Sequence, residues 1–331
     1  MQPVYINGAA RIGAKPITDI SVASIQVEEP DYTQYIDKRK LRRMDRLSRF
    51  ALHTTYAALE EAKIETIDGV VMGIGQTVSQ TTDDMLRKMI EYQEGLTNPT
   101  RFMNSLLGTA AGQIALRLNC NGYSNTHTQR GFSIESALMD AALQLQTKSS
   151  QNIIVGGLDI VGHDLYAEMS AKYGQLTSAP SDKVNRTIGE GGATFLVSGQ
   201  PSAQTQACLR SIFTVFLTDT ARREWSAQEL QRTLFGETIP TVDLIISGRP
   251  FGNEAQRSYD NILEAFSQDV PVINYKLQTG EFPTAAAHGL YLAVKALSGT
   301  EVKSRTTTPE RILVINNYGE RYLSAFLVTQ Q

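Results

Sequence analysis

The sequence predicts a layered α/β protein built from two related halves, and three observations carry that reading. Apolar strands alternate with stretches of helical periodicity along most of the chain. Gly69-Val-Val-Met-Gly-Ile-Gly75 is a continuous apolar run ending in glycines, the pattern of a central parallel strand buried on both faces. The alternation then restarts near residue 200, which divides the chain into 1–199 and 200–331, although no residue-level repeat accompanies it.

Residues 3–13 read as an opening strand bent at Gly8, and 14–36 as loop. The basic run Asp37-Lys-Arg-Lys-Leu-Arg-Arg-Met-Asp-Arg46 leads into a helix whose apolar stripe is Leu47, Phe50, Ala51, Ala58 and Ala62. Residues 80–96 and 104–118 are helical in pattern, separated by the turn signal Asn98-Pro99. Gly122 to Met139 then reads as a short strand, a tight turn at Gly131, and a helix with Phe132, Ile134, Ala137, Leu138 and Ala141 on its buried side. Asn152–Asp159 follows as a second buried strand, Ala171–Val184 as a polar loop, and Asn185–Gly199 as a turn entering a strand. The second half reads as strands at Gln206–Val215, Val242–Gly248 and Val270–Lys276, with helices at Tyr259–Phe266 and Pro283–Leu297. Two final strands, Arg311–Asn317 and Tyr322–Val328, are joined by a turn at Gly319.

Composition narrows the function classes. With 331 residues, 41% of them hydrophobic, the chain can bury a large core. A net charge of -3 gives no global basic field, so nucleic acid is not an expected partner. No apolar run has the length of a bilayer span, and the N-terminus lacks a signal-peptide pattern, so a cytoplasmic protein is expected, with no membrane partner. Cys120 and Cys208 are too few for a disulfide framework and are expected to be reduced core thiols.

A strand feeding a sharp turn at a helix start commonly presents a nucleophile, because the helix amides stabilise an anion there. This turn offers Gln129, Arg130 and Gly131, and none is a nucleophile. Ser133 lies nearby, but Gly-Phe-Ser-Ile-Glu is not the Gly-x-Ser-x-Gly elbow of hydrolases. His53, His127, His163 and His288 have no partners at metal-ligand spacing, so no metal is expected, and no cofactor motif is present. Gly189, Gly191 and Gly192 lack the following Lys-Ser/Thr of a phosphate loop and read as tight turns.

Several stretches together resemble the β-ketoacyl synthases of fatty acid and polyketide assembly, which have the thiolase fold. Arg42-Arg-Met-Asp-Arg-Leu-Ser-Arg-Phe-Ala51 is similar to their N-terminal helix signature, and Gly122–Gly131 with Gly156-Gly157 to their nucleophile segment. Ser181-Asp-Lys, Arg186 and Gly189-Glu-Gly-Gly-Ala193 resemble their loop between the halves, two residues shorter. Asp243–Gly248, Lys276-Leu-Gln-Thr-Gly-Glu281 and Asn316-Asn-Tyr-Gly319 resemble the two histidine segments and the start of the gating loop. The resemblance implies an α-β-α-β-α layered fold over nearly the whole chain.

The departures bear on activity. The family's nucleophilic Cys falls on Gly131, or on Arg130 or Gln129 if the alignment slips. Its two histidines fall on Ser247 and Glu281, and Glu320, Arg321 and Tyr322 replace a flexible glycine-rich gate. Condensation needs a thiolate to carry the acyl chain and imidazoles to stabilise an enolate. Glycine cannot be acylated, and a carboxylate at Glu281 repels the developing anion. The resemblance therefore narrows to the chain-length-factor subunits of type II polyketide or aryl-polyene synthases, inactive paralogues that form heterodimers with an active ketosynthase. It implies that the strand before the elbow, Ser124–Gln129, pairs with that partner across the interface, with Ser124, Thr126, His127 and Thr128 as contact residues. Met103, Leu106, Leu107, Phe132, Ile134 and Met139 either line the shared acyl pocket or belong to the core. Arg130 either forks onto Glu281 as a plug or is an unrelated surface charge. Lys38, Arg39, Lys40, Arg42 and Arg43 either steer an acyl carrier protein or form a solvated helix lead-in. Two rival readings stay open: a decarboxylating priming ketosynthase using Gln129, and a homodimeric scaffold holding an acyl or aromatic ligand.

Overall fold

The computed structural model describes residues 2–13, 24–25, 27–75, 80–95, 98–149, 151–162, 188–218, 226–249, 259–266, 269–300 and 308–331. The polar loop expected at 171–184, Arg186 and His163 lie outside them. The strands are β1 (Val4–Ile12), β2 (Gly69–Gly73), β3 (Tyr123–His127), β4 (Ile153–Asp159), β5 (Gly191–Ser198), β6 (Ala207–Phe216), β7 (Leu244–Gly248), β8 (Val272–Asn274), β9 (Arg311–Tyr318) and β10 (Tyr322–Thr329). The helices are α1 (Lys38–Leu41), α2 (Arg46–Ala62), α3 (Gln80–Glu91), α4 (Pro99–Ser105), α5 (Thr109–Arg117), α6 (Ser133–Thr147), α7 (Ala227–Phe235), α8 (Lys276–Thr279) and α9 (Ala286–Leu297).

These ten strands join in one hydrogen-bonded sheet in the order β8-β7-β9-β10-β6-β1-β5-β4-β2-β3, while the two-residue strands Ser24–Ile25 and Ile188–Gly189 pair in parallel as a separate small sheet. From the first half come β3-β2-β4-β5-β1 and from the second β8-β7-β9-β10-β6, the same order with every number raised by five. Directions repeat as well. In each half the first three of those strands pair in parallel, and the last two add antiparallel. The half-sheets meet where Val4, Tyr5 and Ile6 of β1 pair with Leu209, Cys208 and Ala207 of β6.

Three apolar clusters fill the layers. Helices α6 and α9 share the central one with strands of both half-sheets, around Ile134, Leu138, Val155, Phe195, Leu290, Val314 and Phe326. Helices α2 and α5 cover the outer face of the first half, and α7 with the helical residues 259–263 that of the second. The layered α-β-α-β-α order expected from the sequence is therefore present, with the two sheets also joined edge to edge.

Local chemistry sets the boundaries. Asp45 caps α2 by accepting from the Ser48 amide, and Lys63 ends it in the left-handed region at φ 54°. The bend at Gly8 is a register shift of β1 against β5. Glycine is needed there because a Cβ would sit 2.1 Å from the Ala58 carbonyl oxygen of α2. The single helix expected over 104–118 is instead two helices. Asn98 caps α4 from the residue before Pro99, and the chain breaks through Leu106 and Gly108 before α5. The strand expected over Val270–Lys276 is cut to three residues, with Lys276 opening α8.

Two sequence motifs far apart in the chain meet through Arg46 and Glu190. The Arg46 guanidinium donates to both Glu190 carboxylate oxygens at 2.6 Å, and Glu190 also accepts from the Val27 and Val161 amides. Glu29 takes the Arg46 Nε, and the guanidinium lies 4.7 Å from the Phe50 ring centroid. Glu190 is only 2% exposed, and removing its charge leaves the partly buried Arg46 guanidinium with Glu29 as its one carboxylate among the described residues. The substitution Glu190→Gln is expected to cost about 3–5 kcal/mol in urea unfolding, as for other broken buried pairs. A loss under about 1 kcal/mol would mark the fork as an ordinary surface bridge.

Candidate functional site

Strand β3 feeds the turn as the sequence predicts, but the strained residue is Arg130 rather than Gly131. Arg130 has φ 51°, a left-handed conformation unusual for a side chain with a Cβ. Residues Arg130–Phe132 form one 3-10 turn, and α6 starts at Ser133. The Ser133 hydroxyl locks this geometry by donating to the Arg130 carbonyl at 2.8 Å and accepting from the Gln129 amide at 2.8 Å. Ser133 is fully buried and used up by the turn. The apex is a nucleophile elbow in shape.

The space under the apex is filled. A Cβ at Gly131 would lie 2.6 Å from Tyr322 Cβ and 2.9 Å from Tyr318 Cβ. The Tyr322 ring stands edge-on to Phe132 at 5.0 Å and to Phe216 at 5.3 Å, with Tyr318 at 6.0 Å. Tyr318 and Tyr322 face each other across the tight hairpin joining β9 and β10, where Gly319 and Glu320 both have positive φ. An aromatic cluster held by a short hairpin thus occupies the segment where the sequence departs from a glycine-rich gate.

Behind the elbow lies a set of buried polar groups. Lys276 is fully buried; its Nζ donates to the Asn317 carbonyl at 2.7 Å and to Glu281 Oε1 at 3.1 Å. Burial pulls the Lys276 amine down, while the Glu281 and Glu135 carboxylates oppose that shift. Glu135, on the inner side of α6, is fully buried and accepts from Ser324 at 2.6 Å. Burial pushes its carboxyl up to about 7 against the pull of Ser324 and Lys276. Tyr275 donates to Asn316 at 2.9 Å, and Ser247 is buried in β7 between β8 and β9.

Several expectations change here. Of the two readings left open for Arg130, the fork onto Glu281 is not formed: Lys276 holds Glu281, and Arg130 is exposed without an ion pair among the described residues. The physical reason is placement: Arg130 is exposed at the apex, whereas the Lys276 amine is buried 2.9 Å from Glu281 Oε2 and needs a counter-charge there. Ile134 is fully buried in the central cluster, so it is core rather than pocket or interface. Phe132 packs on Tyr322, and Met139 is half-buried. Met103 and Leu106 are 56% and 46% exposed, while Leu107 packs against the outer core of the first half.

Ser124 and Thr128 are exposed and Thr126 half-buried; His127 bonds Asp140 at 2.8 Å. Gln129 is exposed and accepts from Ser136, with no histidine bonded to it among the described residues. Lys38, Arg39, Lys40, Arg42 and Arg43 are all exposed and form no ion pair among the described residues. Sequence reasoning passed over Glu135, Asp140, Tyr318 and the partner of Glu281. A lone acid inside the apolar stripe of α6 was the one legible signal, at Glu135.

Fold and elbow together define a thiolase-like protein. The beta-ketoacyl synthase N-terminal domain matches residues 16–200, more than half of the chain, and the chain belongs to the beta-ketoacyl synthase family. A 3-oxoacyl-acyl-carrier-protein synthase 2 of Synechocystis sp. is 24% identical over 140 residues, 40% of this chain; the chain spans only 34% of that relative's length. Similar solved structures cover 100% of this chain. The ishigamide ketosynthase/chain length factor has a TM-score of 0.74 at 14% identity, with 99% of that chain covered. A Burkholderia phymatum STM815 beta-ketoacyl synthase has 0.75 at 13%, with 100% covered. A type II polyketide synthase acyl-carrier protein in complex with its hexaketide-bound ketosynthase has 0.73 at 15%, again with 100% covered. No helix among the described residues is long and apolar enough to cross a membrane.

Two outcomes follow from the buried groups. Glu135 holds its proton to about 7 in the fold but only to about 4.3 when unfolded, so native stability falls as pH rises between those values. Glu135→Gln is expected to match the wild type near about pH 4 and to melt progressively higher than it up to about pH 8. A melting difference that does not change with pH rejects the raised carboxyl. Gly131→Cys is expected to destabilise the protein in thermal melts, because the new Cβ meets Tyr322 and Tyr318; a neutral result shows that the hairpin can yield.

Proposed function

We propose that this chain is a non-condensing member of its family that serves as a chain-length-factor-like partner of an active ketosynthase. The single observation that carries the reading is the closed elbow: Arg130 at the apex, Gly131 covered by Tyr318 and Tyr322, and Glu281 tied to Lys276. No group there can accept an acyl chain, and no imidazole is bonded to the turn among the described residues. The likeness to a ketosynthase/chain length factor supports the same role. The exposed apolar side chains Phe102, Met103 and Leu106 on and after α4 support a buried interface, since a soluble monomer rarely shows so many together.

In this reading the partner supplies the thiolate and imidazoles, and this chain shapes the pocket for a polyketide or polyene. The exposed cations from Lys38 to Arg43 steer an acidic acyl carrier protein by charge. The chain divides at residue 199 into two halves, which the repeated strand order supports. The decarboxylase alternative loses support because Gln129 is bound to Ser136.

Co-expression with a ketosynthase carrying an intact Cys-His-His set is the test. A one-to-one complex that condenses malonyl units is expected, with this chain less stable to thermal unfolding when made alone than in the complex. Acylation or thioester elongation by this chain alone would overturn the reading. Gly131→Cys is expected to remain inactive alone, because both imidazoles would still be missing; measurable condensation by that variant rejects Ser247 and Glu281 as the histidine positions.

A further inference from the structure

Strand β3 is the last strand of the ten-stranded sheet, with no described strand beyond it. Its sequence, Tyr-Ser-Asn-Thr-His, is polar on both faces, as suits an edge. The alternate side chains Tyr123, Asn125 and His127 share one face and end on a single carboxylate of α6. Asp140 accepts from Tyr123 Oη at 2.9 Å and Asn125 Nδ2 at 3.0 Å, and pairs with His127 Nε2 at 2.8 Å. It therefore sits over Asn125, the middle of the strand. Burial alone would raise its carboxyl, but the hydrogen bonds from His127, Asn125, Tyr123 and Gln144 hold it below the usual carboxylate range. Leu143, further along α6, is 60% exposed.

From this juxtaposition we infer that Asp140 is a charge selector on the β3 edge. It opposes pairing with a second copy of this chain and favours a partner of the same fold that places a cation or amide donors over its own edge strand. The inference rests on the reading that a partner strand adds to β3. The only antiparallel two-fold register that pairs all five residues sets Asn125 against itself and Tyr123 against His127. Both Asp140 side chains would then stand at one level on the same face, over strands about 4.8 Å apart. Like charges placed so are destabilising across a sheet, and the half-buried setting limits screening. A cation or amide in the same place forms charge-assisted bonds with Asp140 instead.

Sedimentation equilibrium of the chain alone tests this without any ketosynthase. Asp140→Asn keeps the side-chain shape and is expected to self-associate at least about tenfold more tightly than wild type near 0.01 M ionic strength, with the gap closing near 1 M. Adding Leu143→Glu to that variant restores a negative charge at the exposed end of the same face and is expected to cancel the gain. Equal association of wild type and Asp140→Asn, or a gain that Leu143→Glu leaves intact, overturns the selector. Failure of wild type to co-purify with a ketosynthase would sink the chain-length-factor reading separately, since it moves neither of these measurements.

Discussion

The structure depends on one constraint, the burial of α9 on every side. Each of its twelve residues, Ala286 to Leu297, is buried between the half-sheets. A helix so placed must be apolar all round, and its few polar groups must find partners inside. Lys295 reaches Glu61 of α2 and Gln206, and Arg11 of β1 hydrogen-bonds the His288 ring at 3.2 Å. Burial and the Arg11 charge pull His288 down to about 3, so its ring is neutral and stacks near Tyr275. These contacts tie the helix to the first strand and to the outer layer, so both half-sheets share one interior.

The elbow helix α6 lies in that same central layer, which accounts for the character of the site. Its inner side faces strands of both halves, so Glu135 is drawn into an apolar setting and keeps its proton to about neutrality. Lys276 enters from the second half to the same depth and needs a counter-charge, which Glu281 provides. Such a set of buried charges is costly to desolvate and adds little net stability. Its effect is to tie Glu281, just after α8, and the Asn317 carbonyl of β9 to one amine. The aromatic hairpin closes the remaining side with dispersion and edge-to-face contacts, which need no ionisable group.

Two exposed regions of the first half have different physical characters. Helices α3 and α4 expose Leu86, Ile90, Phe102 and Met103, an apolar surface that water penalises. The β3 edge carries instead a compact polar network centred on Asp140. Apolar area supplies association without direction, whereas a fixed charge discriminates between partners. A surface that combines both can bind strongly and still refuse its own copy.

The sequence by itself determined most of the element order and the layered class, because these follow from local periodicity. The buried run Gly69–Gly75 and the strand, turn and helix from Gly122 were legible without coordinates, as was the absence of a nucleophilic side chain at Gln129, Arg130 and Gly131. It also pointed to two halves, but the repeated strand order emerged only from the pairing, since hydrogen-bond partners are distant in the chain. The break between α4 and α5 was missed because an apolar period ran through it. Only the tertiary structure decided that Lys276 rather than Arg130 holds Glu281, that Tyr318 and Tyr322 cover Gly131, and that Tyr123, Asn125 and His127 converge on Asp140. Each of those outcomes depends on the direction of a side chain from a backbone placed by distant strands, and spacing along the chain carries no record of it.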